Sequence, residues 1–286
     1  LDCFRAMPVW VLIGGVGLLG RCWEVLLVAR GLVLVATTIV DLEITDADAV
    51  AKVLQPGSKW VVICAAYSLV DAAEEHEALA TEVNGYAVGR MATRCKEVGA
   101  SLVHYSTDYV FDGAATTPYS PDHPCNPVNA YGRSKAVGED LIRASGVEHL
   151  LVRSSWLYAP WAKNFVLTIA ELAKTRESLR VVDDQRGRPT DSRRLAEVTL
   201  ALIEKEQRGS FHVSDAGECT WFELASLVAS IVNPACRVDP CASEEFPRPA
   251  PRPAYSVLDI SAAERVAGPL VPWKARVRDT LTAAFR

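Results

Sequence analysis

The stretch VWVLIGGVGLLGRCWEVLLVARG runs from Val9 to Gly31 and decides the fold. Five apolar residues, Val9–Ile13, read as a short buried strand. Glycines follow at 14, 17 and 20, and Leu18–Ala29 reads as an apolar helix that Gly31 ends. Without side chains the backbone can turn tightly and approach a pyrophosphate, which sits where the first amides of the helix are free. A tight turn alone would also use glycine, so the order strand, turn, helix is what points to a dinucleotide site at Gly14, Gly17 and Gly20, with Leu18 and Leu19 between them.

The same alternation continues. Leu32–Ala36 reads as a second strand, 46–54 as a helix, Trp60–Ala65 as a strand, 79–98 as a long helix and Ser101–Ser106 as a fourth strand. A Pro- and Asp-rich loop leads to Val128, a helix covers Ser134–Ala144, and His149–Arg153 is another strand. Apolar strands alternating with amphipathic helices imply an α/β fold with a doubly wound parallel sheet, Rossmann-like, binding ligands at the carboxyl ends of its strands. After Trp156 the pattern loosens into helices near 164–175, 195–206 and 221–232 with short strands at Leu179–Val182 and Ser210–Val213. The expected division is a dinucleotide-binding domain over 7–158, with 193–213 returning to its sheet, and a smaller C-terminal substrate lobe over 159–192 and 214–286. FPRPAPRPAYSVLD (Phe246–Asp259) breaks all periodicity; it reads as a loop lining the cleft or as a polyproline segment.

The bulk numbers fit an enzyme-sized chain. It has 286 residues, half of them hydrophobic, and a net charge of −5, so nothing favours nucleic acid or an anionic membrane surface as a partner. Its apolar runs are too short to span a bilayer. No signal peptide is read in Leu1–Ala6, and Met7 is a candidate natural start. Eight cysteines are scattered without a C-x-x-C pair, which favours free thiols and a cytoplasmic location over disulfides or metal.

Cofactor choice should be set where the second strand ends. An acidic residue is expected there for the ribose of NAD, but Ala36-Thr37-Thr38 offers only hydroxyls. This favours NADPH, with NADH possible. Asp41 is placed to approach the adenine pocket or to cap the next turn.

NAYGRSKAVGEDL (Asn129–Leu141) sets Tyr131 and Lys135 four residues apart, on one helix face. A free phenol has a pKa of about 10. A cation within ~4–6 Å would favour the phenolate and lower that value, so the pair could pass a proton to a carbonyl oxygen as hydride reaches its carbon. Alone, Y-x-x-x-K is common. Here it follows HYSTDYVFDG (His104–Gly113), whose Ser106, Thr107 and Asp108 emerge at the carboxyl end of the fourth strand. A hydroxyl there can donate to the same carbonyl. His104 reads as a core histidine, and Arg186, Arg188, Arg193 and Arg194 as a mostly solvated face.

A glycine turn of G-x-x-G-x-x-G spacing, a hydroxyl after strand four and Y-x-x-x-K, in that order, resemble the short-chain dehydrogenase/reductases. STDYVFDG, NAYGRSKAVGED, VDAAE (Val70–Glu74), RSSWLYA (Arg153–Ala159), DQRGRPT (Asp184–Thr190) and RPAYSVLD (Arg252–Asp259) narrow this: the chain resembles the dTDP-4-dehydrorhamnose reductases from its first glycine to its C-terminal lobe. That resemblance implies reduction of the 4-keto group of dTDP-4-dehydro-L-rhamnose by a nicotinamide cofactor. It puts the general acid on Tyr131 and the ribose-binding, phenol-tuning cation on Lys135. Substrate-positioning residues fall on Thr107, Asp108 and Tyr109, and the sugar-contacting tryptophan on Trp156. Cofactor contacts fall on Gly17, Leu18, Leu19, Asp41, Leu42, Ala65, Ala66, Tyr67 and Tyr105. Arg252, in the R-P-x-x-S-x-L motif, is the candidate for the substrate diphosphate.

The chain departs from the family pattern in places. Leu18 stands where a polar residue is usual, and Ile63 where Asn commonly precedes the alanine run. Some members bind Mg²⁺ between subunits through glutamates, but Arg21-Cys22 stands where the first should be, so no such metal site is expected. The expected state is a monomer or a homodimer. Two alternatives differ in kind. One is a non-catalytic nucleotide-binding subunit resembling the regulatory β subunit of methionine adenosyltransferase, which carries Ser at the Thr107 position and lacks the Trp156 motif. The other is a reductase of a different 4-keto-6-deoxy nucleotide sugar.

Overall fold

The computed structural model describes residues 9–38 and 41–285. The expectations for Leu1–Ala6 and Met7 lie outside them. Strands β1 (Val9–Ile13), β2 (Val33–Thr37), β3 (Ser58–Ile63), β4 (Ser101–Thr107) and β5 (His149–Ser154) form one parallel sheet with a sixth strand, Gly209–His212. The order is Gly209–His212, β5, β4, β3, β1, β2. The direction of winding reverses at β1, so the carboxyl ends of β1 and β3 form the crevice where such sheets take their ligands.

Both faces of the sheet are covered, which explains the near-continuous apolar strands. Trp10, Leu12, Trp60, Val62 and Val152 pack on one side, with Trp23 and Leu27 of α1 (Gly20–Ala29) and with Leu195 and Leu202 of the helix Ser192–Glu204. Val11, Ile13, Val61, Ile63 and Leu151 pack on the other, with Val50, Met91, Cys95 and Ile142. The segment after Asp191 thus adds a helix beside α1 and then the sixth strand, paired in parallel with β5. A separate cluster joins the helices Phe165–Thr175, Trp221–Val232 and Trp273–Ala284 to the parallel strands Ser178–Val182 and Arg237–Cys241.

Several elements differ from the sequence expectation. The helix expected at Ser134–Ala144 is Ala130–Ser145, because Asn129 caps it: its Oδ1 accepts from the Gly132 amide at 2.8 Å. Tyr131 therefore lies in the first turn. The helix expected over 79–98 is Glu77–Thr81 and Ala87–Val98 with a π-helical turn, Glu82–Tyr86, between them. Such single-turn insertions often mark functional sites. None of Arg186, Arg188, Arg193 and Arg194 is fully solvated. Arg193 pairs with the buried carboxylate of Asp191 and bonds Thr280, because this stretch is where the chain crosses between its two cores.

One buried ion pair ties β5 to the helix Ala130–Ser145. Glu139 is fully buried and Arg153 is 1% exposed. The carboxylate accepts from Arg153 Nε at 2.8 Å and Nη2 at 2.6 Å, and from Arg143 Nη2 at 2.8 Å. Burial pushes the Glu139 carboxyl up, but the Arg153 bonds and charge outweigh it and hold it at about 2. Because the folded value lies below the unfolded value of about 4.3, this contribution is present above pH ~4 and is lost as pH falls toward 2. Arg153→Met leaves a buried carboxylate without its main partner and should destabilise the fold by about 3–5 kcal/mol. Urea unfolding at neutral pH measures it; a change under ~1 kcal/mol would show that Arg143 and solvent suffice for Glu139.

Candidate active site

The crevice opens into a cavity of about 630 Å³. Its floor is the glycine turn. Gly14 has φ +88°, and a Cβ there would stand 2.6 Å from the Ala65 nitrogen. A Cβ on Gly20 would meet the Gly14 carbonyl oxygen at 2.0 Å. The turn is thus wedged between β3 and the start of α1, whose N-cap Leu19 supplies no side-chain bond to the first amides. Gly14, Gly17, Leu18, Leu19, Ala65, Ala66 and Tyr67 line the cavity, with Leu42, Tyr105, Tyr131 and Lys135. Gly20 and Asp41 do not line it.

The end of β2 behaves differently from its expectation. Thr37 is 5% exposed and donates to the Leu12 carbonyl at 3.4 Å, so its hydroxyl is turned from the cavity. Thr38 lines the cavity, but a carboxylate does stand beside it: Asp41 Oδ2 accepts from the Thr38 amide at 3.0 Å and its hydroxyl at 2.8 Å. Glu43 lines the cavity too, and accepts from the Thr45 hydroxyl at 2.9 Å.

Lys135 is 3% exposed. Its Nζ donates to the Tyr105 carbonyl at 2.7 Å and lies 3.5 Å from His104 Nε2. Burial lowers the ammonium to about 8, against the opposing charge of Glu139. The Tyr105 phenol is spent elsewhere: its oxygen accepts from Trp23 Nε1 at 2.7 Å, on the far face of the sheet. His104 is buried and held neutral, by burial first and then by the Lys135 charge.

Tyr131 joins this cavity to a second, of about 270 Å³, lined by Thr107, Asp108, Tyr109, Ser155, Trp156 and Trp221. Its phenol is pushed up, by burial first and then by the Asp108 charge, while a hydrogen bond with Thr107 pulls the other way. The expected lowering by Lys135 is not found here, because the ammonium is turned to the Tyr105 carbonyl and burial dominates. The Thr107 hydroxyl donates to Asp108 Oδ1 at 3.0 Å and accepts from the Tyr109 amide at 3.1 Å. Burial raises the Asp108 carboxyl to about 6, with Ser256 and Thr107 holding it down in part.

Trp156 adopts a left-handed φ of 50° and stacks on Trp221, ring centroids 3.6 Å apart at 12°. A Cβ on Gly187 would meet the Trp156 ring at 2.7 Å. Trp156 is therefore confined between a glycine and a second indole. Arg252 lies apart from both cavities, on Asp71 at 2.9 Å and the Ala250 carbonyl at 2.9 Å. Asn84, in the π-helical turn and 1% exposed, was not legible as a site residue. Its amide bonds both the N–H and the carbonyl of Tyr67 at 2.9 Å, and Ser134 Oγ at 2.9 Å. Trp221 was missed as well, since an aromatic at a helix start reads as core.

This fold, with a tyrosine, a lysine and a hydroxyl gathered at the carboxyl ends of its strands, defines a nucleotide-dependent reductase class of α/β protein. Residues 9–285 match the family model described as RmlD substrate binding domain, and the chain belongs to that family. It is 41% identical to a dTDP-4-dehydrorhamnose reductase of Burkholderia thailandensis, over 80% of this chain and 84% of that one. It is 38% identical to a dTDP-4-keto-6-deoxy-D-glucose reductase of Streptomyces niveus, over 96% of each. The crystal structure of dTDP-4-dehydrorhamnose reductase from Bacillus anthracis in complex with NADP matches with a TM-score of 0.92 at 34% identity, over 96% of this chain and 99% of that one.

Gly187→Ala should drive the Trp156 ring off Trp221. Far-ultraviolet circular dichroism reads this directly, because two stacked indoles give an exciton couplet. We expect the couplet to be lost; an unchanged spectrum would show that the backbone at Gly187 yields instead of the ring.

Proposed function

We propose that the chain reduces the 4-keto group of dTDP-4-dehydro-L-rhamnose to give dTDP-L-rhamnose, using NADPH, with NADH as a possible second cofactor. The observation that carries this reading is Tyr131, a protonated phenol at the join of the two cavities, beside the Thr107 hydroxyl. The larger cavity has the glycine turn and the strand end that a dinucleotide needs. The relative from Bacillus anthracis binds NADP in the same fold. Asp41 and Glu43 near the strand end disfavour a 2′-phosphate, which is why NADH stays in the reading.

When bound, NADPH supplies the hydride. The cofactor would rest on Gly14, Gly17, Leu18 and Leu19, with Ala65, Ala66, Tyr67 and Leu42 along its length and Lys135 near its nicotinamide ribose. Tyr131, and Thr107 once its hydroxyl turns from Asp108, would hold the sugar carbonyl between them. Tyr131 gives its proton to the carbonyl oxygen as the carbonyl carbon becomes tetrahedral. Burial keeps the phenol protonated until then, which suits an acid in the reducing direction. Asp108, Tyr109 and Trp156 would form the walls of the sugar pocket. The nucleotide-sugar is a small molecule, and no described helix is long and apolar enough to cross a membrane. We place the enzyme in the cytoplasm, as a monomer or homodimer; every described cysteine is a free thiol, which fits a reducing compartment.

The relative from Streptomyces niveus supports a second reading within the class, a dTDP-4-keto-6-deoxy-D-glucose reductase. NADPH oxidation across a panel of 4-keto nucleotide sugars decides between them by kcat/KM. The purified chain should turn over at least one without any added protein. Tight NADPH binding with no turnover on any of them would favour the regulatory-subunit reading.

Two further outcomes follow. Tyr131→Phe keeps the ring and removes the proton, so kcat should fall by about 10²-fold or more with little change in NADPH affinity; near-normal turnover would remove the phenol from its role. Because Lys135 titrates at about 8, its ammonium is lost as pH rises through that value. The kcat/KM for NADPH, which reports the free enzyme, should therefore fall above pH ~8, by roughly tenfold per unit. A flat profile to pH ~10 would mean that the charge on Lys135 is not needed.

A further inference from the structure

The VDAAE stretch begins a short helix, Val70–Glu75, whose acidic residues reach two different elements. Glu74 Oε1 accepts from the Ala130 amide at 2.8 Å, at the very start of the helix that carries Tyr131. Asp71, three residues earlier, reaches the Pro-Arg loop. Its Oδ1 accepts from Arg252 Nη2 at 2.9 Å, and its Oδ2 from Arg248 Nε at 2.9 Å. These bonds span 181 and 177 residues of sequence. Burial is the largest single influence on the Asp71 carboxyl and pushes it up, but the bond and charge of Arg248, the charge of Arg252 and the Ala250 amide together outweigh it and hold the carboxyl below the usual carboxylate range.

The loop is fastened at one further point and packed closely at another. Asn129 Nδ2 donates to the Pro251 carbonyl at 2.9 Å, while its Oδ1 caps the helix. Gly113 has φ +80°, and a Cβ there would lie 2.5 Å from Pro253 Cβ. Held in this way, the Arg252 guanidinium carbon stands 5.8 Å from the Tyr109 ring centroid. The Tyr109 ring in turn meets the Tyr131 ring edge to face, at 6.1 Å and 81°. A continuous line of contacts runs from Asp71 through Arg252 and Tyr109 to Tyr131. Arg252 is 16% exposed at its side chain, commits two of its five N–H donors to Asp71 and the Ala250 carbonyl and lines neither cavity, so its contact with the site runs through Tyr109.

We propose that Asp71 is a positioning residue for the reduction: by pairing with Arg252 it sets the attitude of Tyr109 and, through that ring, of the Tyr131 phenol over the sugar pocket. This rests on the reductase reading above. Asp71 touches neither cavity, so it acts through the loop and not on substrate.

The test is a double-mutant cycle of Asp71→Asn and Arg252→Gln in the full chain. Steady-state constants are taken with the 4-keto nucleotide sugar, with NADPH affinity and Tm measured alongside. Asp71→Asn should lower kcat/KM for the sugar by about tenfold, with both a lower kcat and a higher KM. NADPH affinity should stay within about twofold, since none of these residues lines the larger cavity. Arg252→Gln should show the same loss, and the double variant no more than either alone. If Asp71→Asn lowers Tm with unchanged sugar kinetics, its role is only structural and the proposal fails. Losses that multiply in the double variant would also overturn it, since the two residues would then act separately. A wild-type chain inactive on every keto sugar overturns the reductase reading and this proposal together, whereas an active wild type with an indifferent Asp71→Asn overturns the proposal alone.

Discussion

The site depends on a cation buried without a carboxylate at its ammonium. Lys135 is held by one carbonyl, that of Tyr105, and this requires the helix Ala130–Ser145 to lie hard against the end of β4. Two glycines let the helix lie this close to its neighbours, Gly132 to the turn after β4 and Gly138 to the π-helical turn. A Cβ on Gly132 would stand 2.0 Å from the Tyr109 carbonyl oxygen, and one on Gly138 would stand 2.3 Å from that of Asn84. Any side chain there would lift the helix, and with it both Tyr131 and Lys135. The carbonyl itself is fixed from the opposite face, where Trp23 holds the Tyr105 phenol. Close packing thus comes first, and the chemistry is built upon it.

Burial then sets the protonation of every group around the carbonyl. The phenol of Tyr131 and the carboxyl of Asp108 are pushed up and Lys135 is pushed down, each with desolvation as the largest cause. Each shift is toward the neutral form, yet at neutral pH Lys135, at about 8, keeps its charge and Asp108, at about 6, is mostly ionised, so the phenol is the neutral member of the three. A general acid needs its proton until the moment of transfer, so a raised phenol is consistent with reduction. The Glu139–Arg153 pair behind the same helix is the exception, because there the hydrogen bonds outweigh desolvation.

Much of this was legible in the sequence. Strand, glycine turn and helix gave the fold, because period and glycine spacing are local. The Tyr131–Lys135 spacing and the hydroxyl of Thr107 were visible for the same reason. What escaped was set by tertiary contact. Nothing local says that Thr37 turns inward while Asp41 swings back to Thr38, or that an extra residue makes a π-helical turn that aims Asn84 at Tyr67. The partnership of Trp156 and Trp221 joins residues 65 apart in sequence, and that of Asp71 and Arg252 joins residues 181 apart. The lowering of the Tyr131 phenol was a pairwise expectation that ignored burial.

The central claim is that hydride and proton meet at one carbonyl between the two cavities. Isotope transfer tests it most directly. The purified chain is given NADPH deuterated at the transferable position of the nicotinamide ring, together with dTDP-4-dehydro-L-rhamnose, and the product sugar is read by NMR. The account predicts deuterium at C4 of the sugar, in proportion to the NADPH oxidised. NADPH bound but unoxidised, or oxidised with no deuterium at C4, would contradict it.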